Sequence, residues 1–371
     1  MCPQRRCRLP SWRSGHAMKE GMSVFAVSTP LQLLNAIEAR HSLVSPAAKT
    51  ELWVVAKHPE HRFTWLCAKR IAGSSFSRVR LLELDNVSAR SGVWAAVKAL
   101  WANRRQLGGL PGANPSCTQV FIGNPRTREH LFIASLFPEA RLTCLDDGTG
   151  TVSLLERVAA RGGKDGGGLV AAQGAVAYLK ELCFRLFYGN YRHPLREADF
   201  FTAFAAQAEA AGFVASRNTY SWLASRQRDK GSRYGTHFLG APFVERNELS
   251  WKTYKAWLQR AASLVPAPVV YVAHWAESDS QLSRIESELG FACRRFERPY
   301  EFEYLAGEQA PECVASWFSS ALDVLALVPD ESVCLIAIEV PVGAFLKADI
   351  AASASAFYSR HRDGSTGVEI V

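Results

Sequence analysis

Short apolar runs rich in β-branched residues alternate with amphipathic stretches along this chain, and that alternation restricts its fold more than any other feature. The run "MSVFAVST" (22 to 29) is strand-like and ends in polar residues before Pro30. "PLQLLNAIEARHSL" then places Leu31, Leu34 and Ile37 at near-helical spacing, with proline suited to a first helical turn. "TELWVVAK" and "RVRLLEL" repeat the strand signal, "RFTWLCAKRIA" and "GVWAAVKALWANRRQL" the helical one, and "TQVFIGN", "REHLFIASLF" and "RLTCLDD" continue the series. Such alternation argues a parallel sheet covered by helices, in which ligands bind beyond the carboxyl ends of the strands. A second alternating block starts near "GTHFLGAPF" (235 to 243) and runs through "APVVYVAH", "ACRRFE" and "SVCLIAI". The blocks share no sequence repeat, so two unlike α/β domains facing across a cleft are expected.

A chain of 371 residues with 48% hydrophobic content has material for two such domains. The expected division is 22–232 and 233–371, with residues 1–21 a disordered tail or an extension ahead of the natural start, because Met18 and Met22 directly precede the first strand signal. Roughly half of the formal net charge of +8 sits in that leading segment, in Arg5, Arg6, Arg8, Arg13 and Lys19 against Glu20. The remaining body is mildly basic. That balance suits an anionic small ligand or loose attachment to an acidic membrane face, and the chain lacks the dense basic and aromatic stripe of a nucleic-acid binder. The nine cysteines are scattered without a CxxC, which argues against a disulfide framework or a zinc site and for a reducing cytoplasm. No apolar run reaches the roughly 18 residues of a spanning helix. "ARGGKDGGG" (160 to 168) lacks the order of a phosphate loop and reads as a surface loop, followed by a helical stretch from Leu169 to about Tyr188.

The candidate chemistry falls at strand ends. Asp146 and Asp147 follow an apolar run and precede Gly148; they read either as an Asx-type turn or as a partly desolvated carboxylate pair able to accept a proton. His274 ends "VVYVAH", where an imidazole can bond or protonate a phosphate oxygen, or simply sit as a satisfied structural histidine. His193, in a polar connecting segment, ranks below it. Ser319 and Ser320 open a helical run; hydroxyls and free backbone N–H groups at a helix start make an anion site, although capping alone explains one serine. Glu301 and Glu303 alternate with aromatics in "RPYEFEYL"; either one carboxylate there takes the two hydroxyls of a ribose or both are solvated edge residues.

In order, "FAVSTPLQLLNAIEA", the D-D-G turn, the strand-end histidine, P-x-E and the S-S pair resemble the bacterial sialyltransferases, closest to the polysialyltransferase-like and lipooligosaccharide group. The likeness runs from Met22 to about Val328 and is carried by motifs of two to four residues. It implies a GT-B fold of two Rossmann-like domains and inverting transfer of sialic acid from CMP-sialic acid to a sugar hydroxyl of a surface glycan, without a metal or other cofactor. It implies as partners a CMP-sugar donor and a glycan acceptor, while the mild basic charge and the aromatics point to no nucleic acid and to peripheral association with the inner membrane face, where such acceptors are made. Within it Asp146 and Asp147 hold the general-base position, with Asp146 taken as the base and Asp147 as shaping the turn beside Gly148, which is grouped with the donor site. His274, Ser319 and Ser320 hold the donor phosphate, and Glu301 the cytidine ribose. Trp275 replaces the proline that usually follows the histidine and stiffens its turn. Transfer of another CMP-activated acidic sugar such as Kdo, and non-catalytic carbohydrate or nucleotide binding, stay open as alternatives.

Overall fold

The computed structural model describes residues 21–58, 61–85, 93–108, 116–160, 162–163, 197–228, 231, 233–307, 310–328, 330 and 332–371. Most of the 160–168 glycine segment, the helix expected from 169 and His193 lie outside the described residues. Seven parallel strands form the first sheet: β1 (Met22–Val27), β2 (Thr50–Ala56), β3 (Arg78–Glu83), β4 (Cys117–Ile122), β5 (Arg141–Leu145), β6 (Asp199–Thr202) and β7 (Ala215–Arg217). Around it lie α1 (Pro30–Leu43), α2 (His61–Ile71), α3 (Val93–Gly108), α4 (Arg128–Ser135), α5 (Thr149–Ala160) and the short α6 (Ala205–Ala210) and α7 (Ser221–Ala224).

The second sheet has six parallel strands: β8 (Thr236–Leu239), β9 (Val269–Val272), β10 (Ala292–Arg294), β11 (Cys313–Ser316), β12 (Cys334–Ala337) and β13 (Val368–Ile370). Its helices are α8 (Trp251–Leu264), α9 (Asp279–Leu289), α10 (Tyr300–Ala306), α11 (Ser320–Leu327) and α12 (Ala348–His361). The spatial orders are β3-β2-β1-β4-β5-β6-β7 and β10-β9-β8-β11-β12-β13. The domains are therefore unlike in residue content but not in topology: each is doubly wound, with its switch point beside its first strand, at β1/β4 and β8/β11.

α1 explains much of how the halves meet. Leu33, Leu34, Ala36 and Ile37 are fully buried in an apolar cluster that continues from the α1 and α2 side of the first sheet into the second domain through Trp222, Phe238 and Tyr304. Buried polar groups on α1 are each satisfied: Asn35 donates to the Asp146 carbonyl (2.9 Å), and Glu38 accepts from the backbone N–H groups of Trp222 (3.1 Å) and Leu223 (2.7 Å). Other contacts between the domains include an Arg70–Glu297 ion pair (2.8 Å) and the Arg360 guanidinium over the Phe204 ring (5.1 Å). The carboxyl ends of both sheets consequently face one cleft.

Candidate active site

The turn after β5 separates the two aspartates. Asp146 turns into the protein, 1% exposed. One of its oxygens accepts from Gly148 N–H (2.9 Å), the other from the Thr202 hydroxyl (2.9 Å) and Ala203 N–H (3.1 Å) at the end of β6. Burial pushes its pKa up to about 6, and these same hydrogen bonds pull it down. Asp146, expected as the base, links two strand ends through three of the protein's own donors.

Asp147 is half-buried and turns toward the β1/β4 switch point. Its Oδ1 accepts from Gln32 Nε2 and its Oδ2 from Asn124 Nδ2, both at 2.7 Å. Neither amide can flip without loss, because Gln32 Oε1 accepts from Ser28 N–H (2.8 Å) and Asn124 Oδ1 from Arg126 N–H (2.8 Å). The Thr29 hydroxyl also donates to Oδ1 at 3.5 Å, so the carboxylate is held from both sides by three side-chain donors. Burial raises its pKa to about 6; the Gln32 and Asn124 hydrogen bonds and the nearby Arg126 charge oppose that rise. The two neighbours thus differ in placement: Asp146 is buried between two strand ends, and Asp147 lies half-buried between the residues that follow β1 and β4.

On the other side of the cleft, His274 follows β9 in a turn stiffened without proline. Glu277 accepts from His274 N–H (2.7 Å) and from the Tyr271 hydroxyl (2.6 Å), which is bonded to the Tyr254 hydroxyl (2.6 Å). A side chain at Gly240 would put its Cβ 2.2 Å from the Tyr271 hydroxyl and 2.6 Å from Glu277, so glycine is needed for this chain of groups. Burial raises the pKa of Glu277 to about 7. His274 Nδ1 accepts from Ala276 N–H (3.1 Å), and burial, aided by Arg246 and Arg295, drives the imidazole pKa down to about 3. A neutral ring with Nδ1 accepting carries its proton on Nε2, which no described residue accepts. Trp275 packs on His274 (centroids 5.0 Å apart) and reaches His61 in the first domain (6.1 Å).

Glu301, on the first turn of α10, is 7% exposed. Burial raises its pKa, its own backbone N–H alone opposes the rise, and no other described residue bonds the carboxylate. Glu303 is different: a bidentate pair with Arg298 (2.8 and 2.7 Å) ties it outside the cleft. Ser319 is the N-cap of α11, accepting from Ala321 N–H (3.2 Å). Ser320 stands against the first domain, since a Cβ at Gly148 would lie 2.6 Å from Ser320 Cβ. Gly148 has φ +61, so both its conformation and its closeness to Ser320 demand glycine.

His274, Glu301, Ser319 and Ser320 line one cavity of about 720 Å³ including its mouth, together with Pro30 and Leu31 of α1 and the rings of Phe63, Trp275 and Phe296. Gly148 meets Ser320 and Leu31 at the cavity's first-domain edge, and Asp147, one residue earlier, is not among the residues that line it. Gln32, Asn124, Thr202 and Glu277 were not among the expected residues. "TPLQ" does carry a signal for Gln32, the Thr-x-x-Gln of a capping box, although its side chain is spent on Ser28 and Asp147.

Two Rossmann-like domains with their strand ends facing one cleft define the GT-B architecture. Among solved structures, the chain is similar to a spinosyn forosaminyltransferase (9% identity, 95% of this chain and 85% of that one, TM-score 0.49). It is also similar to Acinetobacter baumannii MurG (10%, 95% and 85%, 0.41) and to UDP-GlcNAc 2-epimerase from Neisseria meningitidis (9%, 94% and 87%, 0.45). No protein-family profile and no curated protein matches the chain.

Proposed function

We propose that the protein is a glycosyltransferase that takes sialic acid from CMP-sialic acid and transfers it, with inversion, to a hydroxyl of a glycan. The observation that carries this reading is one cavity lined by Glu301, Ser320 and His274, whose polar ends no other described side chain bonds, with the clamped Asp147 carboxylate one residue before Gly148 at its first-domain edge. Glu301 suits a vicinal diol, as in a ribose. Ser320 and the amino end of α11 suit a phosphate, where the helix dipole favours negative charge.

In the reaction, the Asp147 carboxylate takes the proton of the acceptor hydroxyl as its oxygen attacks the anomeric carbon. The bond from that carbon to the phosphate oxygen breaks, and its electron pair leaves with CMP. His274 Nε2–H and the Ser320 hydroxyl donate to the phosphate as charge builds there. The sialyl donor is supported by the order of motifs in the sequence and by the acid-rich and hydroxyl-rich division of the cleft.

The test is incubation with CMP-sialic acid and a panel of acceptors including lactose-terminated glycans, with UDP-sugars in parallel. Release of CMP with formation of a sialylated product is the expected result. Turnover of a UDP-sugar alone would overturn the donor, and no turnover of any donor would overturn the reading as a transferase.

A further inference from the structure

α3 differs from the other helices of the first domain in what it leaves outside. Its inner face is pinned: Leu100 and Leu107 are buried in a core cluster with Trp53 and Leu82, and Asn103 exchanges hydrogen bonds with the Asp85 backbone at 2.8 and 2.9 Å. On the outer face Trp94, Lys98, Trp101 and Arg105 follow at steps of four, three and four residues, which sets them in one stripe along the helix. Trp94 is 85% exposed and Trp101 60%, and Arg104 is exposed beside them.

Two features indicate what covers this stripe. Between Val93 and Gly108 the sequence contains no Asp or Glu, so Lys98, Arg104 and Arg105 present an unbroken positive face. The large apolar groups exposed with them are indoles, whose amphipathic rings settle at the headgroup level of a bilayer while neighbouring cations meet lipid phosphates. The other large exposed apolar residues, such as Leu66, Val214 and Leu264, are scattered singly over other elements. No helix among the described residues is long and apolar enough to cross a membrane, so contact here is with the bilayer surface.

We infer that the outer face of α3 docks the protein on an anionic lipid bilayer, with Trp94 and Trp101 entering the interface and Lys98, Arg104 and Arg105 pairing with lipid phosphates. The inference stands apart from the transfer chemistry, because none of these residues borders the cleft.

Vesicle flotation of the full chain tests it. The protein should float with phosphatidylcholine vesicles containing phosphatidylglycerol, float poorly with pure phosphatidylcholine, and be released by salt. Trp94→Ala/Trp101→Ala and Lys98→Ala/Arg104→Ala/Arg105→Ala should each lower binding about tenfold or more with unchanged melting temperature. Failure of the wild type to float on the anionic vesicles, or full retention of binding by the double tryptophan variant, would overturn it. So would a dimer in sedimentation that the tryptophan variant dissolves, since a second copy would then cover this face.

Discussion

The two walls of the cleft treat their polar groups in opposite ways. In the first domain they are spent on one another: Asp146 is consumed by Gly148, Thr202 and Ala203, and Asp147 is clamped by Gln32 and Asn124. In the second domain the groups at the cavity are left open, with Glu301 buried but bonded by no other side chain and the proton of His274 Nε2 unclaimed. A wall that fixes one carboxylate is suited to act on a group brought to it. A wall whose polar groups line the cavity without another side chain bonded to them is suited to receive a ligand.

This contrast is broken most strongly at Asp147. Asp147→Asn should lower kcat by about 10²–10⁴-fold, the usual worth of a general base, while nucleotide affinity is kept; a variant with full turnover would remove the first wall from the chemistry. Its neighbour should behave differently. Asp146→Ala leaves buried donors on Gly148, Thr202 and Ala203 without an acceptor and should cost about 2–4 kcal/mol in denaturant melts; a neutral result would show that the link is not structural.

The pH profile sharpens the same point. With Asp147 raised to about 6, the base is ionised above that pH and protonated below it. kcat/KM should therefore fall about tenfold per pH unit on the acid side of roughly pH 6, and Asp147→Asn should lack that limb. Smallest is Ser319→Ala, which removes the N-cap of α11 and should cost about 1 kcal/mol of stability with little effect on turnover. A larger loss of turnover than that seen with Ser320→Ala would exchange the roles of the two serines.

β1 to β5, β8 to β10 and β12 were legible because strand and helix signals alternate up to Leu145 and again from about Gly235, which also puts Asp147 and His274 after strands, whereas β6, β7 and β13, of three or four residues each, gave no such signal. Which aspartate is tied into the sheet was not legible, since adjacent residues after a strand point apart and the choice is made by β6. That strand is four residues long, lies beyond a polar segment, and brings Thr202 beside β5 from 56 residues away. The stiffening of the His274 turn was equally hidden. Trp275 reads as the loss of a rigid proline, whereas Glu277, two residues further on, supplies the constraint through a buried contact with Tyr271 that only the packing of β9 creates.

Calorimetric titration of CMP into the wild type, Glu301→Ala and Asp147→Asn puts the two walls in direct opposition. CMP should bind the wild type and Asp147→Asn alike and bind Glu301→Ala about 10- to 100-fold more weakly, the loss expected when hydrogen bonds to a buried charged group are removed. Absence of CMP binding to the wild type, or equal affinity in all three proteins, would contradict the assignment of the second wall to the nucleotide.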